Sequence, residues 1–159
     1  MEGTRPRRSR TSTRSRPRTR PLEVAVLLRR KRPRVSGARL RRVLQGAARA
    51  LKVSGEVALL LTGDAPMRRL NAQYRGKDKP TDVLSFPGPG GEAGLGDIVI
   101  SLDTAARNAP TFGRTFAQEV DVLALHGFLH VLGYDHERDH GTMERLEAQL
   151  RRRLLGSAR

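Results

Sequence analysis

Residues 115–136 read TFAQEVDVLALHGFLHVLGYDH, and the fold turns on what this stretch can form. Val120, Val122, Leu123, Ala124, Leu125, Phe128, Leu129, Val131 and Leu132 are too dense for a single apolar stripe. They surround a helix almost completely, and a helix of that kind belongs in the middle of a domain with neighbours on every side. The pattern therefore predicts a buried central helix from about Thr115 to Leu132. Gly133 supplies the left-handed residue that ends it. His126 and His130, four residues apart, fall on one face of this helix a single turn from each other.

Outward from this helix, the flanking sequence predicts short strands alternating with helices. Residues 22–28 (LEVAVLL) and 56–62 (EVALLLT) are short apolar runs suited to buried strands. Between them, Ser36 is placed to cap a helix that turns Leu40, Val43, Leu44, Ala47 and Leu51 inward and Arg41, Arg42, Arg49 and Lys52 outward. Asp64 is expected to cap a short helix with Met67 and Leu70 inward. A polar, basic stretch (residues 74–82) then leads into a strand at Val83–Phe86, which Pro87 stops. Pro87 to Gly96 is glycine-rich and reads as a loop. Asp97–Ile100 forms a fourth strand. A helix follows from Ser101 to Asn108, ended by Pro110, and the last helix runs from about Gly141 to Leu155. These readings amount to four strands and about five helices.

The length, 159 residues, suits a single core. That core is expected within residues 22–157. Residues 1–21 hold eight arginines against one acid, Glu2, with Met1 their one large apolar residue. Such a segment cannot bury enough surface to offset its ordering entropy, so it is expected to be disordered. An RNA-contacting arm and an extension without a role both fit it. A transit peptide fits poorly, because the tail lacks an apolar face and carries Pro6, Pro17 and Pro21. The formal charge of +15 favours a polyanionic partner. The absence of cysteine excludes disulfides, thiolate metal sites and cysteine nucleophiles together. No apolar run is long enough to span a bilayer, so no membrane partner is expected and a cytoplasmic location is the default.

All four histidines, His126, His130, His136 and His140, lie within fifteen residues. After Gly133 reverses the chain, His136 is expected to return toward the face that carries His126 and His130. Three converging imidazoles with a fourth position left to water are the ligand set of a catalytic zinc ion. Zinc suits neutral imidazole, while nickel, copper and iron remain open. His140, in a polar stretch with Glu137 and Asp139, is expected to be solvated at the start of the last helix. The spacing is that of the metzincin proteases, H-E-x-x-H-x-x-G-x-x-H, with one departure. Gly127 stands where those proteases carry their glutamate base, which argues against peptide hydrolysis. Gly127 is also expected to open the wall beside the metal to a bulky substrate.

The run from Ala124 to His136 resembles the signature of the YbeY family, bacterial single-strand-specific endoribonucleases and rRNA maturation factors. Two further blocks carry the resemblance in the same order. One runs from Leu70-Asn71 through Tyr74-Arg75-Gly76-Lys77-Asp78-Lys79-Pro80-Thr81-Asp82 to Pro87, the other from Leu95 to Ser101. Val122 is a departure, since some members carry a further histidine there. The resemblance implies an α+β, zincin-like fold: a small mixed sheet of about four strands packed with about five helices, the central helix carrying the metal ligands. It implies that one Zn2+ is held by His126, His130 and His136, and that Arg75 is the basic residue of the active groove needed for cleavage. The implied substrate is single-stranded rRNA precursor, notably the 3′ end of the small-subunit rRNA. The ribosome or its small subunit is the implied partner, and ribosome quality control a related role. Lys77 and Lys79 could help Arg75 hold phosphate, and Tyr74 and Phe86 could stack on bases. Asp82 and Ser85 fit either the groove or the turn, and Asp97 a structural position. Two other functions stay open: a zinc hydrolase of a non-RNA substrate, and a ribosome-binding assembly factor whose zinc is structural.

Overall fold

The computed structural model describes residues 20–30, 33–90, 94–135 and 139–155. The expectations for the tail up to residue 19 and for His136 therefore lie outside the described residues. Within them the chain runs β1 (Glu23–Leu28), α1 (Gly37–Leu51), β2 (Glu56–Thr62), α2 (Asp64–Arg75), β3 (Val83–Pro87), β4 (Gly96–Ser101), α3 (Leu102–Asn108), α4 (Phe116–Val131) and α5 (Thr142–Leu155). α3 ends at Asn108, as expected of a helix just before Pro110, and a short 3-10 turn, Ala109–Phe112, follows it on the way to α4. Among the described residues these make one sheet of four strands and five α-helices, the fold class expected. No described helix is long and apolar enough to cross a membrane.

The sheet order is β1-β2-β4-β3. β1, β2 and β4 are parallel, and β3 lies antiparallel against β4 at the edge. Parallel strands need crossovers, which α1 supplies between β1 and β2. Alternation along the strands then divides the core. Leu59 and Leu61 stand in register with Ile98 and Ile100 and join the larger cluster with α1, α3, α4 and α5. Leu60 and Val99, one residue out of phase, face the other way, where Met67 and Leu70 of α2 meet Leu84 and Phe86 of β3. The domain is thus layered, with α2 covering one face of the sheet and the other helices the opposite face.

Local signals set the helix ends. Ser36 Oγ accepts the Arg39 amide at 3.2 Å, as its N-cap reading requires. Thr115 and Gln118 form a reciprocal capping box that starts α4. At its other end the Gly133 amide bonds the His130 carbonyl and the Tyr134 amide the Leu129 carbonyl, with Gly133 at φ +97. That double bond is a Schellman stop. α4 is buried along nearly its whole length, including two acids. Asp121 is gripped by Arg39 of α1, with both nitrogens 2.7 Å from Oδ2. Glu119 takes Arg114 at 2.8 Å. Burial pushes the Asp121 carboxyl up from its ordinary value, against the pull of Arg39.

Asp64 departs from the expected cap. It is the first residue of α2, after Gly63 in the capping position, and its carboxylate reaches across to α3. Ser101 and Thr104 donate their hydroxyls to it at 2.7 and 2.6 Å, and Arg107 pairs with it at 2.7 Å. Burial raises the Asp64 carboxyl, but the Thr104 and Ser101 hydroxyls and Arg107 outweigh it and hold the group below its ordinary value. A depressed carboxylate stabilises the fold above its unfolded pKa, and that contribution fades as pH falls through the folded one. Asp64→Asn should therefore lower stability at pH 7 by about 1–3 kcal/mol. Urea denaturation should show the gap between variant and parent closing below roughly pH 4.

Candidate metal centre and groove

The last two turns of α4 carry His126 and His130. Helical pitch stacks the two rings, and they meet edge to face with centroids 4.6 Å apart at 73°. Their Nε2 atoms lie 3.1 Å from each other. Tetrahedral zinc with Zn–N bonds of 2.0–2.1 Å separates its nitrogen donors by about 3.3 Å, so this spacing fits a shared cation. The pair also stands at the C-terminal end of α4, where the helix dipole favours positive charge. On its far side, His126 Nδ1 lies 3.1 Å from Glu147 Oε2 of α5. Among the described residues no three potential ligands cluster together, and the expected third, His136, is outside them.

The two imidazoles open into a groove of about 480 Å³, lined also by Arg75, Thr81, Asp82, Val83, Leu84, Ser85, Pro87 and Asp135. Arg75, the final residue of α2, is exposed at its border because Gly76, at φ +67, turns the chain away immediately after it. Asp82 and Ser85 fill both roles that the sequence left open. Each lines the groove, while Asp82 Oδ1 accepts the Val83 amide at 2.8 Å and the Ser85 hydroxyl donates to the Gly127 carbonyl at 3.1 Å.

Other residues singled out in the sequence stand apart from this groove. Lys77 and Lys79 are exposed and do not line it. Asn71 clamps their loop instead, its Nδ2 donating to the Lys79 carbonyl at 2.8 Å. Tyr74 is 59% exposed and packs edge-on against Phe86, with ring centroids 5.0 Å apart. His140 is exposed at the turn before α5, as expected of a solvated residue. Asp97 lines a separate hollow with Glu23 and Glu56. Glu147 was not found by sequence reasoning. A carboxylate on an amphipathic helix carries no mark of what it faces twenty-one residues back.

Gly127 has a different role from the one expected. A Cβ built on it would stand 2.6 Å from Ile98 Cγ2 and 3.2 Å from both Ser85 Oγ and Val83 Cγ2. The missing side chain lets α4 press onto β3 and β4; it does not open a wall for substrate. A glutamate at this position has no room without moving the helix off the sheet.

A mixed four-stranded α/β domain whose central helix presents paired imidazoles to an arginine-bordered groove is the class of protein defined by this geometry. The family model described as endoribonuclease YbeY matches residues 31–155, and the chain belongs to that family. It is 47% identical over 131 residues to the endoribonuclease YbeY of Moorella thermoacetica, covering 74% of this chain and 83% of that one. Identity to the Koribacter versatilis endoribonuclease YbeY is 46% over 130 residues, covering 81% and 84%. A Thermotoga maritima protein of known solution structure superposes with a TM-score of 0.61 at 27% identity, covering 84% of this chain and 89% of that one.

Overpacking at the helix–sheet contact gives a direct test. Gly127→Glu should lower unfolding stability by about 1–3 kcal/mol or more in urea denaturation, because Ile98 is fully buried and has no space to retreat.

Proposed function

We propose that this chain is a metal-dependent endoribonuclease that cuts single-stranded RNA, with His126, His130 and His136 holding one zinc ion on a zincin-like scaffold. One observation carries the reading: two imidazole nitrogens converge, 3.1 Å apart, in the same groove that Arg75 borders. The names of the relatives support RNA as the substrate. The net charge of +15 supports a polyanionic one independently. When bound, a zinc ion supplies Lewis acidity toward a phosphoryl oxygen and acidifies water toward neutral pH.

The protein's own side chains account for the rest. Arg75 offers a planar fork of donors to a phosphate lying in the groove, and its charge opposes the negative charge that builds as the phosphodiester is attacked. Gly127 is occupied by packing, so the glutamate base of the related peptidase spacing has no counterpart there. Asp82 and Asp135 border the groove as acceptors for a proton or a ribose hydroxyl. The groove is open along β3, which suits an extended strand better than a duplex. Ribosomal RNA precursor, above all the 3′ end of the small-subunit rRNA, is the substrate we assign, with the small subunit as partner and the cytoplasm as location. Residues 22–157 are the catalytic domain we assign, with the arginine-rich segment before them outside it.

The His130→Ala variant should lose bound metal and RNA cleavage together. Arg75→Ala should retain metal while cleavage of single-stranded RNA falls by about 10²–10³-fold, the usual loss when one donor to developing charge is removed. Metal analysis and a cleavage assay on single-stranded and duplex RNA, run on the same preparations, separate the two effects. An Arg75→Ala protein that cuts at the parent rate overturns the role given to Arg75. A parent protein that cuts without any metal overturns the centre.

A further inference from the structure

We infer that Glu147 is a positioning residue for the metal centre: it holds the Nδ1 proton of His126 and so delivers that ring's Nε2 as a bare lone pair to the groove. The inference rests on the proposed function in taking His126 as a ligand, and it assigns a residue outside the histidine motif to the same site.

A neutral imidazole carries one proton on either of two nitrogens, and the partner of one nitrogen decides the state of the other. In His126 the two nitrogens have different partners. Nδ1 faces Glu147 Oε2 at 3.1 Å, and an ionised carboxylate can only accept. The proton therefore sits on Nδ1. Nε2, on the groove side and 3.1 Å from His130 Nε2, is then the unprotonated atom. In the opposite tautomer the Nδ1 lone pair would face the carboxylate while the Nε2 proton met the second imidazole.

The placement of Glu147 makes the contact selective. Its side chain is 16% exposed and that of His126 28%, so the bond is only partly screened by water. Met143 and Leu150, a turn away on either side, are buried in the main core and fix the rotation of α5 about its axis. Glu144 is on the same helix but exposed. α5 also follows directly on the segment that contains His136. The same helix thus bounds the segment that carries the third expected ligand and orients the ring of the first.

Carboxylates in this relation to a ligating histidine typically contribute 10–100-fold in metal affinity. Zinc affinity should be measured on the full-length chain by competition with a chromophoric chelator, for the parent, Glu147→Gln, Glu147→Leu and Glu144→Gln. Nitrogen-15 NMR of the metal-stripped proteins at fixed pH reads the tautomer of His126. Glu147→Leu should bind zinc about 10–100-fold more weakly and lose the Nδ1-protonated tautomer. Glu147→Gln, whose amide oxygen still accepts, should keep the tautomer and fall between, and Glu144→Gln should match the parent. Equal affinity for the parent and Glu147→Leu, or an unchanged tautomer in the metal-stripped leucine variant, overturns the assignment. A loss of affinity in Glu147→Leu accompanied by unfolding, with full affinity kept in Glu147→Gln and the parent tautomer absent, does so as well. A parent protein that takes up no zinc overturns the proposed function instead, and is told apart because failure of the Glu147 assignment leaves parent binding intact.

Discussion

The close approach of α4 to the sheet is the contact on which everything else in this domain rests. Without a Cβ at position 127, the helix backbone settles against Ile98 and Val83, and the Ser85 hydroxyl reaches the Gly127 carbonyl. Any larger residue there would separate the two layers. That depth of contact sets the groove: β3 forms one wall, the end of α4 another, and His126 and His130 meet the solvent between them. The glycine that looks like a missing catalytic residue from the viewpoint of a peptidase is thus a packing element from the viewpoint of this fold. Its substitution would disturb the core before it reached the chemistry.

What could be read from the sequence was mostly what is decided locally. The cap at Ser36, the stop at Gly133, the inward face of α1 and the all-round apolarity of α4 follow from neighbours within a few residues. The histidine pair is legible for the same reason, since four residues make one turn. Decisions made across the chain were not legible. Nothing in the strand sequences orders them β1-β2-β4-β3, because an apolar run marks a buried strand without naming its neighbour. Asp64 reads as an ordinary cap until Ser101, Thr104 and Arg107 arrive from α3. Lys77 and Lys79 follow Arg75 by only a few residues, yet of the three only Arg75 borders the groove, and Asn71 ties down the loop that carries the lysines. The bond between Glu147 and His126 spans two helices and a turn, and no periodicity announces it.

The charge balance also looks different in three dimensions. Among the described residues, Asp64, Asp78, Asp103, Glu119 and Asp121 each hold an arginine. Of these, Asp64 and Asp121 tie one helix to another. Glu23, Glu56 and Asp97 gather in a hollow over the sheet, apart from the histidines. α1 carries Arg41, Arg42 and Arg49 with no acid of its own, and the end of α5 carries Arg151, Arg152 and Arg153, two patches that a phosphate backbone could meet.

A cylinder that is greasy on every side can in principle spin or slide within its socket at little expense. The acids at 119 and 121 deny α4 that freedom. A slip of one residue would turn the helix by about 100° and carry both carboxylates away from Arg114 and Arg39 into hydrocarbon. These two pairs act as a detent near the start of the shaft, and the angular setting they impose is felt at its far end. The face of the helix from which the imidazoles look out is thus set in part by partners more than a turn away that never touch them.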